Sequence, residues 1–240
     1  MTEQEWLVCT DPSPMLEVEE ATTSERKLRL FGCACCRRIW DLVSDHRSRK
    51  AVDIAESYAD GRVKKAELVE AEQAALEAPT PGSPSEVYMA AGAAWTLCAP
   101  RRGDSGIKSP GEMAERVANG TAQAAGENSL EPSLKGSNSP TARRRRLKRQ
   151  AHEKQIQCEV LRDILGNPFR PSRLSSRWVT KTTRSLAQAI YQDRAFDRMP
   201  ILADALEDAG CDNADILNHC RQPGEHVRGC WLVDLLLGKS

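Results

Sequence analysis

The sequence is poor in aromatic residues, which make up 5% of its 240 positions. Its 40% hydrophobic content therefore rests mainly on Leu, Ala, Ile, Val and Cys. β-Sandwiches and barrels draw on β-branched and aromatic side chains, and no long segment alternates polar and apolar residues. This composition argues against a β-protein. It predicts an all-α fold, either a helical bundle or two packed helical parts.

Long apolar runs are also missing, and no window approaches the roughly 18 consecutive apolar residues of a membrane-spanning helix. The first residues, MTEQEWL, are acidic and lack the basic start and apolar stretch of a signal peptide. We therefore expect a cytoplasmic protein that has no membrane partner. In that compartment the nine cysteines are expected to be reduced thiols.

Catalytic motifs are absent as well: there is no G-x-S-x-G, Walker A, dinucleotide-binding or H-E-x-x-H pattern. Asp204, Glu207 and Asp208 resemble paired carboxylates but are typical of an acidic solvent face. His226 and Cys230 are spaced like a base and a nucleophile, yet no orienting group or oxyanion donor accompanies them. The sequence predicts a protein that is not an enzyme, with no catalytic residue assigned.

The net charge is zero, but the charges are segregated. Residues 1–100 hold 11 Lys and Arg against 17 Asp and Glu, and residues 101–184 hold 18 against 8. The remainder is acidic again, with 5 against 9. Such a chain can dock its basic middle on its acidic ends, or offer a basic stripe to a polyanion.

Apolar residues recur with helical spacing on both sides of residues 100–142. Thr2 and Glu5 form a capping-box pattern that opens a short helix with Trp6 and Leu7. Ser24 is a suitable N-cap for the next, mostly buried helix. The spacing predicts further helices over about 25–43, 47–59, 64–77, 85–98, 141–165, 184–192, 200–210 and 213–220, and a final apolar segment that ends near 237.

Residues 100–142 are rich in Ser, Pro, Gly and Arg and carry few apolar anchors. Such segments bury too little surface to offset the entropy lost on ordering. We interpret them as a flexible linker that can contain a short helix near 112–125. The predicted organisation is an N-terminal helical part over 1–99, this linker, and a C-terminal helical part over 143–240.

The densest group of metal-ligand side chains lies near the C-terminal end of the sequence: Cys211, His219, Cys220, His226 and Cys230. Zinc prefers four thiolate or imidazole ligands, so this cluster is a candidate zinc site. No paired C-x-x-C knuckle is present, and buried cysteines are common in helical cores. The alternative interpretation is a packed helical corner. No cofactor is expected under that interpretation, with zinc as the alternative.

Two further clusters have simple explanations. Cys33, Cys35 and Cys36 lie in a helix whose pattern already predicts burial, where cysteine packs as a small hydrophobic residue. A basic run is a candidate nucleic-acid or polyanion site, although no aromatic residue interrupts it. Cations at a helix start oppose the helix dipole, which favours a helix that begins after the run. The candidate residues are Arg143, Arg144, Arg145, Arg146, Lys148 and Arg149.

Several short sequence motifs resemble those of one protein family. They are DILGNPFRP at 163–171, LADALEDAGC at 202–211, HCR at 219–221 and HVRGCW at 226–231. EWLVCTDP at 5–12 and KLRLFGCACCRRIW at 27–40 accompany them. With these phrases the chain resembles an uncharacterised family abundant in planctomycete bacteria, over about 1–95 and 155–239. The resemblance implies a bacterial source and no particular activity, cofactor or catalytic residue. The resemblance does not extend to the middle of the chain, which we therefore expect to be a divergent insertion.

These observations favour a non-enzymatic protein-interaction or scaffold module, with a protein partner or self-association. The first alternative is a zinc-stabilised structural or regulatory domain that uses the C-terminal cysteine and histidine cluster. The second is a nucleic-acid-associated protein that binds through the basic run at 143–149. Zinc content and salt-dependent binding separate the three.

Overall fold

The computed structural model describes residues 1–19, 23–78, 82–99 and 107–239. It is 71% helical, with twelve α-helices and no strand in the described ranges, so the predicted all-α fold is confirmed. None of the described helices is both long and apolar enough to cross a bilayer. The helices are α1 Glu3–Val8, α2 Pro12–Glu19, α3 Glu25–Arg38, α4 His46–Ala59, α5 Lys65–Leu76, α6 Ser85–Cys98, α7 Pro110–Asn128, α8 Pro140–Leu165, α9 Lys181–Asp193, α10 Met199–Asp208, α11 Ala214–Arg221 and α12 Trp231–Leu237.

The chain forms two compact units with boundaries other than those predicted. The N-terminal unit contains residues 8–158, and the C-terminal unit contains residues from 159 onward together with residues 2–7. Residues 107–142 therefore belong to the N-terminal unit and do not link two parts. Helix α8 contributes to both units, since the boundary falls after Cys158.

Helix α3 lies at the centre of the N-terminal unit and packs against α4, α6 and α7. Ser24 caps it by accepting a hydrogen bond from the Lys27 amide at 3.4 Å. The helix ends at Arg38, earlier than the predicted 43, because the following amides bond three residues back instead of four. The ring of Trp40 in this turn lies 4.1 Å from the Arg37 guanidinium, a cation–π contact that holds the chain in its turn.

The cysteines of α3 are buried among these helices. Cys33, Cys35 and Cys36 are each at most 1% exposed, as the core interpretation requires. Burial raises the pKa of all three thiols above the ordinary range, so they are protonated at neutral pH. They pack as small apolar groups.

The linker prediction is wrong for the described part of 100–142; residues 100–106 lie outside it. Helix α7 occupies 110–128 and packs closely against α6 and α3. Ser109 caps it by accepting from the Glu112 amide at 3.0 Å, and Pro110 suits its first turn. The buried face consists largely of alanines such as Ala118 and Ala122. Small side chains let helices approach closely, so a helix with little hydrophobic bulk can still be buried.

Helix α8 begins at Pro140, and the basic run lies within its first turns, contrary to the expectation that the helix starts after the run. Two cations of the run are compensated by acids that precede the helix. Arg145 pairs with Glu131 at 2.8 Å, and Arg146 pairs with Glu127 at 2.6 Å. These ion pairs offset the unfavourable charge at the helix start.

The core of the C-terminal unit is formed by one face each of α9, α10, α11 and α12. Thr180 caps α9, and Asn213 caps α11 by accepting from the amides of Asp215 and Ile216. Leu202, Leu206, Ile216 and Leu232 are fully buried between these helices. The arrangement brings the C-terminal end of α11 close to the N-terminal end of α12, and the last turn of α8 lies beside them.

Candidate metal centre

Asp163 occupies the last turn of α8, on the same face as the buried Val160 and Ile164. The carboxylate is itself 4% exposed. The helix ends at Leu165 because Gly166 takes a left-handed conformation with φ of 71°. This stop fixes a buried carboxylate at the end of a helix.

The other polar groups at this place come from α11, α12 and their connection. His219 lies in the last turn of α11, and Cys230 is the N-cap residue of α12. His226 lies in the loop between them. The Cys230 amide bonds to the Val227 carbonyl at 3.0 Å, a turn that returns the chain towards His219.

Asp163 accepts hydrogen bonds on both of its oxygens. His226 Nδ1 lies 2.6 Å from Oδ1, and the Val227 amide donates to Oδ2 at 2.9 Å. His219 Nε2 lies 3.4 Å from Oδ1. One carboxylate therefore contacts both imidazoles and is held by a backbone amide.

His219 Nε2 also lies 3.2 Å from Cys230 Sγ. One ligand atom from each of Asp163, His219, His226 and Cys230 falls within 4.8 Å of the other three. Four atoms at the corners of a tetrahedron around zinc are about 3.3–3.8 Å apart, given bonds of about 2.0–2.3 Å. The group thus has nearly the size of a coordination shell, and it is the one such group of three or more side chains among the described residues.

Burial sets the protonation of this group. It lowers the pKa of His219 to about 4, against the opposing effect of Asp163, so this imidazole is neutral at pH 7. Burial, and next the Asp163 charge, raise the pKa of the Cys230 thiol well above its usual value. The amides of Leu232 and Val233 bond to its sulfur and favour the thiolate. Without a metal the thiol keeps its proton.

The structure brings together three of the five residues proposed from the sequence, which are His219, His226 and Cys230. Cys211 and Cys220 are not part of this group; they lie in the apolar core cluster to which Cys230 also belongs. His219 and Cys220 are adjacent on one helix and point in different directions, so only His219 reaches Asp163.

Asp163 is the residue that sequence reasoning missed. It lies 63 positions from His226, so no local spacing joins them. One signal was present, since a carboxylate interrupts the apolar face formed by Val160 and Ile164. Buried carboxylates are rare unless paired, which makes such a position a candidate ligand.

A cavity of about 420 Å³ opens beside the group. It is lined by α1, the end of α8, α11 and Trp231, and His219 forms part of its wall. Asp163, His226 and Cys230 do not line it. The Trp231 ring lies 4.8 Å from the His219 ring and shields it on one side.

The remaining sequence candidates do not form a comparable site. Asp204, Glu207 and Asp208 are exposed, and Arg221 pairs with the first two at 2.8 and 2.5 Å. The basic run lies on the surface of α8. Arg143, Arg144, Lys148 and Arg149 are exposed there.

Comparison of the chain with protein-family models, curated proteins and solved structures finds no match. With no relative to compare, we infer the chemistry of the group formed by Asp163, His219, His226 and Cys230 from the positions and burial of these side chains.

Proposed function

We propose that the C-terminal unit is a metal-stabilised domain in which Asp163, His219, His226 and Cys230 hold one Zn²⁺. The observation that carries this proposal is the convergence of four ligand side chains, from two helices, a loop and a helix cap, within 4.8 Å. The expectation of a zinc-stabilised structural or regulatory domain thereby becomes the leading function.

The donor set favours zinc over other common metals. Mg²⁺ and Ca²⁺ prefer shells made of oxygen atoms alone, whereas this group offers two imidazoles, one thiolate and one carboxylate. Zinc accepts all three ligand types in four-coordinate sites. Copper and nickel bind similar donors more tightly, so the cellular supply of each metal also contributes to the choice.

The surroundings support a bound metal. The Val227 amide fixes the second oxygen of Asp163, and the Gln222 amide lies 3.4 Å from His219 Nδ1. Outer contacts of this kind orient ligands around metals. His226 faces the group through Nδ1, which lies 2.6 Å from Asp163 Oδ1, so Nδ1 is the nitrogen that would bind the metal.

A structural role fits better than a catalytic one. Catalytic zinc keeps one coordination position for water or substrate, whereas four protein ligands are present here. The thiol of Cys230 is fully buried and does not line the cavity, which disfavours its use as a nucleophile. Such a metal ties the end of α8 to α11 and α12, and its binding energy adds to the folding energy of the unit.

Metal analysis of the protein, purified without a chelator or His-tag, tests this proposal. We expect about one zinc per chain in the wild type and at least a tenfold loss of affinity in Cys230→Ala and Asp163→Asn. Replacement by Co²⁺ should give a thiolate-to-cobalt charge-transfer band that Cys230→Ala removes.

Cys220→Ala is the matched control, because it removes an equally buried sulfur from the same unit but not from the ligand group. It should lose stability and keep its zinc. Zinc far below one equivalent in the wild type, or equal zinc loss in Cys220→Ala and Cys230→Ala, would contradict the proposal.

A further inference from the structure

Helix α1 belongs to the C-terminal unit although the chain continues directly into the N-terminal unit. Its contacts reach residues more than 150 positions away, such as Arg162 and Asn167. Val8 already counts with the N-terminal unit. A segment of six residues, Thr2–Leu7, therefore docks on the C-terminal unit in the manner of a bound peptide.

Two residues of α1, one turn apart, make these contacts: Glu3 through its side chain and Trp6 through its carbonyl and its buried ring. The Glu3 carboxylate accepts from Asn167 Nδ2 at 2.8 Å and pairs with Arg170 Nε at 2.9 Å. Trp6 is fully buried, and its carbonyl accepts from Arg162 Nε and Nη2 at 3.1 and 2.8 Å. The receptor thus matches a carboxylate and a tryptophan three residues apart on a helix.

The N-terminus of α1 is capped by residues of the same segment. Thr2 Oγ1 accepts from the Glu5 amide, and the Thr2 amide donates to the Glu5 carboxylate at 2.7 Å, which completes a capping box. Leu7 and Val8 on the outer side are exposed. Helix α1 is therefore stabilised by its own cap and by its contacts with the receptor.

The fit around α1 is incomplete. The 420 Å³ cavity runs along Glu3, Trp6 and Leu7, and Trp6 Nε1 is buried without a hydrogen-bond partner. Cavities and unpaired buried donors each reduce stability. The segment is thus held by a few specific contacts and not by close packing all round.

We propose that this receptor also binds α1 of a second copy of the chain, so that two chains associate by exchanging their α1 helices. The same contacts form within a chain and between chains, and protein concentration decides between the two. Exchange of an identical element is a low-cost route to a dimer. The proposal does not rest on the metal, because none of the four candidate ligands contacts α1 in the contacts described above.

A charge swap between full-length chains tests the exchange. In Glu3→Arg and in Arg170→Glu, two like charges meet when a chain binds its own α1. When the two variants are mixed, each α1 meets an opposite charge on the other chain. Arg170 and Glu3 are 74% and 30% exposed at their side chains, so neither change threatens folding.

We expect each variant alone to sediment mainly as a monomer, and the equimolar mixture to contain at least threefold more dimer at low salt. The double variant Glu3→Arg with Arg170→Glu should behave as the wild type. A mixture that sediments as the sum of its parts would overturn the proposal.

A peptide of residues 1–9 gives a second measurement. It should bind full-length Trp6→Ala saturably, and the same peptide with Trp6→Ala should bind at least tenfold more weakly. Wild-type protein should also bind it at least tenfold more weakly, because its own α1 competes. Absence of binding to folded Trp6→Ala would overturn the proposal; should that variant unfold, Arg170→Glu titrated with the Glu3→Arg peptide decides in the same way.

These measurements are made with zinc present and are repeated after chelation. Peptide binding that persists after chelation separates the receptor from the metal centre. If the peptide binds but the charge-swapped mixture stays monomeric, the receptor serves only its own chain, and the exchange proposal is wrong.

Discussion

Helix α8 carries two buried carboxylates, one in each unit, and they differ in the kind of partner that contacts them. Glu153 in the N-terminal unit is 1% exposed and pairs with two nitrogens of Arg38, Nε and Nη2, at 2.7 and 3.2 Å. Asp163 in the C-terminal unit meets two imidazoles and a thiol. No arginine or lysine contact accompanies it among the hydrogen bonds and ion pairs described here.

The partner of Glu153 has a fixed charge, whereas the charge of the groups around Asp163 can change. Arginine keeps its charge at every relevant pH, so the Glu153 pair is complete as it stands. Histidine and cysteine gain or lose protons, and both exchange protons for metal. The charge balance around Asp163 therefore depends on what binds there, and the following changes test that distinction.

The largest effect is expected from Glu153→Ala. It removes the carboxylate that pairs with Arg38, and breaking a pair with a buried member costs up to about 3–5 kcal/mol in the free energy of unfolding. Urea denaturation measures the loss, and zinc content should stay unchanged. Asp163→Asn should instead weaken zinc binding at least tenfold, which corresponds to about 1.4 kcal/mol of the stability that the metal supplies. Equal zinc loss in both variants would remove the distinction between the two carboxylates.

Gly166→Ala should be the next largest. Its φ of 71° disfavours any Cβ by about 1–2 kcal/mol, and the added carbon would lie 3.3 Å from the Trp231 ring, which packs on His219. Gly61→Ala is the matched control, with φ of 68° and no atom within 4 Å. We expect both to lose stability and only Gly166→Ala to lose zinc affinity as well. An equal effect of both on zinc affinity would contradict this.

The pH dependence of zinc binding should follow the thiol of Cys230. Because burial raises its pKa, zinc must displace one proton at neutral pH, and affinity should rise about tenfold per pH unit between about pH 6 and 8. The pKa of His219, lowered to about 4, means that this imidazole holds no competing proton in that window. Competition titrations with a zinc-binding dye measure the slope, and a slope near zero would argue against a thiolate ligand.

The smallest effect is expected at the basic run. Arg144 and Lys148 are exposed, so changing both to Gln should alter the free energy of unfolding by under about 0.5 kcal/mol. The same variant tests the nucleic-acid alternative at about 50 mM salt, where phosphate contacts are strongest. Loss of wild-type binding to generic DNA or RNA would support that alternative. A wild type that binds neither would contradict it.

Local sequence signals predicted most of the helices. Helix α6 has the predicted bounds of 85–98, and the caps at Ser24 and Asn213 lie where side-chain chemistry places them. Helix α7 was expected only as a short helix within a linker, because its buried face is built from alanine and glycine, whose pattern carries little hydrophobic contrast. Its burial depends on α6 and α3, which no local window contains.

The candidate site was likewise predicted only in part. His219, His226 and Cys230 stood out because they lie within a few turns of one another in the sequence. Asp163 joins them only through packing of α8 against the end of α11, and Cys220 is excluded only because its helix points it into the core. A sequence shows which residues are of a type that binds metals, but the direction of each side chain depends on tertiary structure.

The docking of α1 has a consequence for the order in which the protein assembles on the ribosome. Trp6 is synthesised before its binding site, because Arg162 is added 156 residues later. At about 5–20 residues per second, this apolar side chain waits roughly 8–30 s before its site exists. During that interval it is accessible to chaperones, to proteases and to the α1 receptor of a finished chain nearby.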